Sequence, residues 1–210
     1  MGSTDPTIFV VDDDASILRG SRRLLTAAGF KVETFESADA FLQRHDPAAP
    51  GCLILDVAMP GLNGLELQQA LHARNSFLPI IFLTGRADVP MSVQAMKEGA
   101  LDLLLKPVDE ADLLAAIDRA LARERELRES SEQTASVEER LSTLTPRERQ
   151  VLTHVIEGRL NKQIAGDLGT VEKTIKVHRA RMMEKMKVRS VAELVRLMER
   201  SGIRPGTPTQ

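Results

Sequence analysis

The sequence has no tryptophan or tyrosine, only six phenylalanines and a single cysteine, Cys52. Since 42% of its residues are apolar, the chain can form a core, but that core must be mainly aliphatic. One cysteine excludes an internal disulfide bond and fits a reducing compartment. No stretch approaches the roughly 20 apolar residues that span a bilayer, and residues 1–6 lack the features of a secretory signal. We therefore expect a cytoplasmic protein with no membrane partner.

The charge is unevenly distributed, although the net charge is only −2. Residues 1–121 carry 10 Lys and Arg against 17 Asp and Glu, whereas residues 144–210 carry 14 against 7. The intervening residues 122–143 carry 4 against 6. This asymmetry indicates two domains with different partners, and the basic part indicates a polyanionic partner. A chance imbalance is the alternative that charge alone leaves open.

Short apolar runs alternate with longer amphipathic segments over the first 120 residues. They predict strands at 7–11, 31–35, 52–55, 79–83 and 101–105. They predict helices at 15–28, 37–44, 63–73, 88–98 and 109–122. Five β–α repeats favour an α/β fold with a doubly wound, five-stranded parallel sheet. Right-handed crossovers then bring the carboxyl ends of all five strands to one edge.

The pattern changes after the first domain, which we expect to comprise residues 1–121. Residues 122–143 begin with alternating charges and continue with small polar residues, which predicts a linker that is helical only at first. Residues 144–203 predict a small all-α domain of four helices, the first of which begins with Thr145-Pro146. We expect residues 204–210, rich in proline, glycine and threonine, to form a disordered tail.

Acidic residues stand where two predicted strands end. Asp12 and Asp13 follow one apolar run, and Asp56 follows another. Carboxylates that converge on one edge repel each other unless a cation lies between them. Oxygen ligands that leave room for water and phosphate suit Mg²⁺. The alternatives are that Asp13 and Asp14 only cap the next helix and that Asp56 is an ordinary turn residue.

Four motifs at successive strand ends resemble those of a known family. They are Val10-Val11-Asp12-Asp13-Asp14, Leu55-Asp56-Val57-Ala58-Met59-Pro60-Gly61, Leu83-Thr84-Gly85 and Leu105-Lys106-Pro107. In sequence and spacing they resemble the receiver domain of bacterial response regulators. The resemblance implies a CheY-like, flavodoxin-like fold for the first domain and covers its whole length.

The same resemblance implies that Asp56 is the phosphoryl acceptor, phosphorylated by a sensor histidine kinase. Asp13 would ligate Mg²⁺ (or Mn²⁺) directly, with Asp12 close by. Asp56 and the backbone carbonyl of Ala58 would complete the protein's ligands. A receiver promotes only its own phosphotransfer and dephosphorylation, so we expect no enzyme that turns over a separate substrate.

Lys106 and Thr84 are the remaining site residues that the resemblance implies. Lys106 would pair with the phosphoryl group as a point charge, and Thr84 would bind it through its hydroxyl. The alternatives are that Lys106 is only a solvated loop lysine and that Thr84 is only a strand-end residue with a satisfied hydroxyl. Leu103 departs from the family, which has Tyr or Phe three residues before the lysine. Ala58 has no polar side chain to orient water, so we expect a long-lived aspartyl-phosphate.

The basic domain carries a second resemblance. Its motifs are Thr145-Pro146-Arg147-Glu148-Arg149-Gln150-Val151-Leu152, Asn161-Lys162-Gln163-Ile164-Ala165, Thr174-Ile175-Lys176-Val177-His178-Arg179 and Lys185-Met186. They resemble the LuxR-type helix-turn-helix. With the receiver, the chain is identified as a member of the NarL/FixJ family. The segments Asp88-Val89-Pro90-Met91 and Ala95-Met96-Lys97 are similar to the FixJ-like branch, near the regulators of aromatic catabolism.

The predicted helix at 171–186 is the candidate recognition helix, which in this motif enters the major groove. By resemblance, Lys176 and Val177 are the residues expected to read bases. The expected phosphate contacts, which provide affinity without sequence information, are Thr174, Arg179, Arg181 and Lys162, and Lys173 lies on the same DNA-facing side. A solvated basic face is the alternative for each cation. Val171 stands where Ser or Thr usually caps this helix, so Thr170 is a candidate cap.

Together these features predict a response regulator that acts as a transcription factor. Phosphorylation of Asp56 would control homodimerisation and binding to promoter DNA, with RNA polymerase as a further partner. The predicted helix at 190–200 could close the small domain's core, pair with a second subunit, or do both. The alternatives are a regulator whose receiver no longer needs phosphorylation and a Mg²⁺-dependent phosphohydrolase.

Overall fold

A computed structural model gives the structure of this chain and describes residues 5–74, 76, 78–85 and 89–203, with the backbone alone at 89–92. The chain divides into two compact units, Met1–Arg128 and Glu129–Gln210. The predicted disordered tail lies outside the described residues. So does Asp88, one of the residues on which the similarity to the FixJ-like branch depends.

The first unit is an α/β domain, as the sequence predicts. Its elements are β1 (Thr7–Val11), α1 (Ala15–Ala27), β2 (Lys31–Phe35), α2 (Ala38–Arg44), β3 (Gly51–Asp56), α3 (Gly64–Ala73), β4 (Ile80–Thr84), α4 (Val89–Lys97), β5 (Asp102–Leu105) and the start of α5 (Glu110–Ser142). All strand pairs are parallel, in the order β2-β1-β3-β4-β5. The strand order reverses between β1 and β3, the position where open α/β sheets place their functional sites.

Helices cover both faces of the sheet, because its central strands are buried on both sides. Every residue of β1 is buried. Ile8 and Val10 pack in one apolar cluster with residues of α1 and α5, whereas Phe9 and Val11 pack in another with residues of α2 and α3. Continuous apolar runs are typical of such parallel strands, and this explains why they were easy to recognise in the sequence.

An aromatic cluster at one end of this core encloses a histidine. The His45 ring stacks on Phe41, with centroids 4.6 Å apart, and meets Phe9 edge-on at 4.8 Å. Within the described residues neither imidazole nitrogen has a hydrogen-bond partner. Burial lowers the pKa of His45 below its ordinary value of 6.5, although the nearby Asp46 opposes this shift. The fold therefore favours the neutral imidazole.

We expect the free energy of unfolding to fall as the pH is lowered from 7.5 to 5.5. In this window the unfolded chain binds a proton at His45 that the folded chain resists, so stability is lost on acidification. The loss from this residue grows as the pH falls below the ordinary pKa of 6.5. Urea unfolding followed by circular dichroism measures it. His45→Gln should be less stable throughout but less dependent on pH, and an unchanged pH dependence would contradict the assignment.

The second unit is all-helical, which confirms the predicted small α domain. It contains the end of α5, followed by α6 (Pro146–Ile156), α7 (Asn161–Asp167), α8 (Glu172–Lys185) and α9 (Val191–Ser201). Its core includes Leu152, Ile164, Ile175 and Met182, all fully buried. The start of α6 carries the expected capping box, in which Thr145 and Glu148 satisfy each other's backbone N–H groups.

Helix α5 is longer than predicted. The sequence predicts helix over 109–122 and a polar linker that is helical only at first, but the helix continues to Ser142. The reason is burial near its end, since Val137 and Leu141 are 2% and 6% exposed and join the core of the second unit. Four residues apart, they share one helix face. Two isolated apolar residues in a polar segment were too weak a pattern to predict this packing.

Candidate functional site

The predicted acidic site, formed by Asp12, Asp13 and Asp56, lies where adjacent parallel strands of the sheet end. Val11 of β1 pairs with Leu55 of β3, so the next residues, Asp12 and Asp56, leave the sheet side by side. Thr84 ends β4, whose Leu83 pairs with Asp56. Asp12 is 1% exposed and Asp56 7%. The parallel register alone therefore places two buried carboxylates and a buried threonine at one edge of the sheet.

The three aspartates that follow β1 have different roles. Asp14 is the N-cap of α1, because its Oδ1 accepts hydrogen bonds from the Ser16 backbone N–H at 2.7 Å and the Ser16 hydroxyl at 2.5 Å. Asp12 Oδ1 accepts from the backbone N–H of Asp14 at 2.9 Å, which fixes its direction. Asp13 is exposed and belongs to the acidic site. The capping alternative therefore holds for Asp14 and not for Asp13.

The acidic site has the donor set of a divalent cation site. One carboxylate oxygen from each of Asp12, Asp13 and Asp56 lies within 4.8 Å of the others. Three such oxygens are too close for three uncompensated negative charges. Hard carboxylate oxygens with one side open to solvent are the ligands of Mg²⁺, so these residues fit the ion that the sequence resemblance implies.

Lys106 completes the site from the loop after β5. Its Nζ donates to Asp12 Oδ2 at 2.6 Å and lies 2.9 Å from Asp56 Oδ1. Its backbone N–H donates to the carbonyl of Thr84 at 2.8 Å, and the bond to Pro107 is cis. Anchored in this way, the lysine is not a solvated loop residue. Its ammonium group lies where it can compensate negative charge beside Asp56.

The electrostatics of the site are set by burial and by these contacts. Burial raises the pKa of Asp56 above its ordinary value, Lys106 opposes that shift, and Asp12 and Asp13 add to it. Burial also acts to lower the pKa of Lys106, but its hydrogen bonds to Asp12 and Asp56 outweigh it, so that pKa is raised. Lys106 therefore keeps its charge at neutral pH, and a bound cation would favour the ionised form of Asp56 against the effect of burial.

Gly64, the first residue of α3, holds the backbone behind Asp56. Its N–H donates to the Val57 carbonyl at 3.1 Å. A methyl group at this position would lie 2.5 Å from the backbone oxygen of Asp56 and 3.0 Å from Cε1 of Phe82. The close approach is possible only because Gly64 lacks a side chain. Sequence reasoning treated this residue as part of a helix and missed its contact with the site.

Helix α8 has a buried face and an exposed face. Ile175, Met182 and Met186 are fully buried, the last just after the helix. His178 is half-buried, and its Nδ1 has no hydrogen-bond partner among the described residues. The exposed residues of the predicted DNA-facing side are Lys173, Lys176, Val177 and Arg181, with Lys162 exposed on α7. Thr174 and Arg179 are half-buried.

Two of the predicted DNA-contacting cations make contacts within the domain. Arg179 Nη1 donates to Asn161 Oδ1 at 2.8 Å and so connects α8 to the start of α7. Lys176 Nζ lies 3.0 Å from Glu172 Oε1, one helical turn earlier. Sequence reasoning missed Glu172, although the spacing of an acid four residues before a lysine was there to indicate the pair.

Val171 occupies the N-cap position of α8. Thr170, the candidate cap suggested by the sequence, lies one residue earlier. Val171 makes no side-chain cap hydrogen bond and is 65% exposed. The first backbone N–H groups of α8 therefore have no side-chain cap from this residue. An uncapped helix N-terminus favours anionic groups such as phosphate.

No helix in the described part of the chain is long and apolar enough to cross a membrane.

Family models match both units. The response regulator receiver domain matches residues 8–118, and the luxR family of bacterial regulatory proteins matches residues 142–198. Together the two matches include the acidic site and α6–α8, as well as most of α9. The order of the two domains is the one that the sequence motifs indicate.

The chain is also similar to relatives over nearly its full length. Nodulation protein W of Bradyrhizobium diazoefficiens is 44% identical over 201 residues, which cover 96% of this chain and 88% of that protein. Transcriptional regulatory protein FixJ of Azorhizobium caulinodans is 42% identical, with 96% and 97% covered. Among solved structures, response regulator StyR matches with a TM-score of 0.84 and 50% identity, covering 93% of this chain and 98% of that one. The chain therefore belongs to the response regulators that join a receiver domain to a LuxR-type DNA-binding domain and regulate transcription.

Proposed function

We propose that Asp56 accepts a phosphoryl group from a sensor histidine kinase and that this modification controls DNA binding by the second domain. The observation that carries the proposal is the meeting of Asp12, Asp56 and Lys106 at the sheet edge, with nitrogen–oxygen distances of 2.6 and 2.9 Å. A carboxylate becomes a useful acceptor where positive charge offsets its repulsion of the incoming phosphoryl oxygens.

Each side chain has a definite role in this reaction. Asp56 Oδ1 or Oδ2 attacks the phosphorus, and the bond from phosphorus to the donor nitrogen breaks. The ammonium group of Lys106, at the end of a flexible side chain, pairs with the phosphoryl group on Asp56. Thr84 donates its hydroxyl to a phosphoryl oxygen. Asp12, Asp13, Asp56 and the carbonyl of Ala58 would hold Mg²⁺ or Mn²⁺, and the ion would supply positive charge beside the transferring group.

Domain roles follow from the distribution of the sites. Residues 1–121 serve as the receiver and residues 144–203 bind DNA. Residues 122–143 join them in sequence, and the end of this segment, with Val137 and Leu141, packs in the core of the second unit. The matches at 8–118 and 142–198 support the two domain roles. The receiver acts on its own aspartate, so its phosphotransfer and slow dephosphorylation serve signalling and not metabolic turnover.

Phosphorylation favours a homodimer. Support comes from three exposed apolar side chains on the receiver, Val93 and Met96 of α4 and Leu105 of β5, which are 46%, 46% and 53% exposed. Burying them against a second copy would remove apolar surface from water. A symmetric dimer matches two half-sites in promoter DNA. The dimer acts with RNA polymerase at promoters in the cytoplasm.

DNA recognition depends on α8. Lys176 donates to guanine O6 and N7, and Val177 meets thymine methyl groups. The remaining positions, Lys162, Lys173, Thr174, Arg179 and Arg181, bind phosphates. Because Arg179 already donates to Asn161, it also holds α7 and α8 together. The phosphate contacts fix register, and the two base contacts select sequence.

Replacing Lys176 with alanine should change which sequences are bound, whereas Arg181→Ala should weaken binding to all sequences alike. Arg181 is the matched control, since it is an exposed cation on the same helix. Its loss should reduce the slope of log affinity against log salt by about one. Fluorescence anisotropy with labelled duplexes bearing single base changes gives both quantities. Equal effects of the two variants on every duplex would contradict base reading by Lys176.

A further inference from the structure

The first turn of α8 presents an exposed carboxylate on the face predicted to meet DNA. Glu172 is the first residue of the helix, and its Oε1 lies 3.0 Å from Nζ of Lys176. The two side chains are 45% and 64% exposed, so both can reach beyond the domain surface. Four residues apart, they lie on the same helix face.

A carboxylate at this position is favourable for the helix N-terminus, but the exposed ion pair with Lys176 adds little because solvent screens it. On a surface that meets phosphates, a carboxylate also repels the ligand. Glu172 is the acidic residue of the first turn of α8, and its neighbours Lys173 and Lys176 are exposed cations on the face predicted to meet DNA.

We propose that Glu172 and Lys176 together read the major-groove edge of a G·C base pair, and that Glu172 keeps Lys176 from acting as a simple phosphate contact. The edge of that pair presents guanine O6 and N7 as acceptors next to the cytosine N4 donor. A lysine ammonium beside a carboxylate acceptor has the complementary pattern. This inference rests on the proposed placement of α8 in the major groove.

The carboxylate has two consequences for selectivity. At a G·C pair it accepts from cytosine N4 while Lys176 donates to guanine, so both charges are satisfied. At other base pairs, and on non-specific DNA, the Glu172 carboxylate finds no hydrogen-bond donor on the bases. It then repels the nearby phosphates and offsets the charge of Lys176. Glu172 therefore lowers non-specific affinity more than specific affinity, which is how a repulsive element produces specificity.

The test uses the full chain activated with beryllofluoride and Mg²⁺, and a library of duplexes with a randomised central segment. Wild type, Glu172→Gln, Lys176→Ala and the double variant each select from the library, and the selected pools are sequenced. Glu199→Gln, which removes an exposed acid from α9, is the matched charge control. Affinity for a mixed-sequence duplex is measured in parallel as a function of salt.

Glu172→Gln should lose the preference for one G·C pair and bind the mixed-sequence duplex about threefold to tenfold more tightly at low salt. Its salt slope should steepen by up to about one, and the ratio of specific to non-specific affinity should fall at least tenfold. In the double variant the loss of preference at that pair should not exceed the loss in Lys176→Ala. Glu199→Gln should keep the wild-type sequence preference.

Each other result overturns the inference. If Glu172→Gln selects the same sequences as wild type, or behaves like Glu199→Gln, then Glu172 serves only the helix. If Lys176→Ala changes the selected sequences while Glu172→Gln does not, this inference fails and the proposed use of α8 stands. If neither variant changes the selected sequences, or wild type selects none, the placement of α8 in the groove fails as well.

Discussion

Asp56→Asn is expected to abolish phosphorylation of this protein by acetyl phosphate or by a phosphorylated kinase. Asparagine keeps the shape of the side chain but has no anionic oxygen to attack phosphorus. Loss of a nucleophile commonly lowers rates by at least about 1000-fold. Intact-protein mass spectrometry should detect one added phosphoryl group in wild type and none in the variant.

The fold should not suffer from this change. Burial raises the pKa of Asp56, so its ionised form is disfavoured in the folded state, and removing the charge relieves repulsion with Asp12 and Asp13. We expect Asp56→Asn to be at least as stable as wild type when Mg²⁺ is absent. Asp118→Asn, at an exposed site on α5, is the control and should be phosphorylated normally. A phosphorylated Asp56→Asn protein would refute the assignment of the acceptor.

Gly64→Ala should impair both the stability and the phosphorylation of the receiver. The new methyl group would lie 2.5 Å from the backbone oxygen of Asp56 and 3.1 Å from Cα of Val57. Both contacts are with backbone at the end of a buried strand, so the strand end must shift. Such overpacking costs about 1–3 kcal/mol, and it moves Asp56 relative to Lys106.

Gly20→Ala is the matched control for this prediction. Gly20 lies inside α1, and a methyl group there would meet nothing within 4 Å. Alanine in a helix interior should raise stability by about 0.5–1 kcal/mol. Thermal unfolding and the rate of phosphorylation by acetyl phosphate report the two effects. If Gly64→Ala matched wild type in both, the close packing behind Asp56 would not matter for the site.

The sequence indicates which residues meet at the carboxyl edge of the sheet, for a physical reason. Buried parallel strands require long apolar runs, so a carboxylate at the end of each run stands out. The rule that parallel strands end on one edge then brings Asp12, Asp56, Thr84 and Lys106 together without knowledge of any distance. The strand register then sets Asp12 beside Asp56, because they follow Val11 and Leu55, which are paired in the sheet.

The parts that could not be predicted depend on side-chain packing. Sequence alone could not decide between Asp13 and Asp14 as the helix cap, since the two are adjacent and chemically equal. The continuation of α5 depends on Val137 and Leu141 entering a core built mainly from later residues. The contact of Arg179 with Asn161 joins residues 18 positions apart, and no local pattern indicates it.

The central claim is that charge arriving at Asp56 changes how the second domain binds DNA. The most direct test is the affinity of the full chain for a selected promoter duplex, measured at fixed Mg²⁺ with and without beryllofluoride. Beryllofluoride occupies the position of a phosphoryl group on a carboxylate without a covalent step. We predict tighter binding by at least about tenfold, equivalent to 1.4 kcal/mol, in wild type and no change in Asp56→Asn. Equal affinity of the wild-type protein in both conditions would contradict the account.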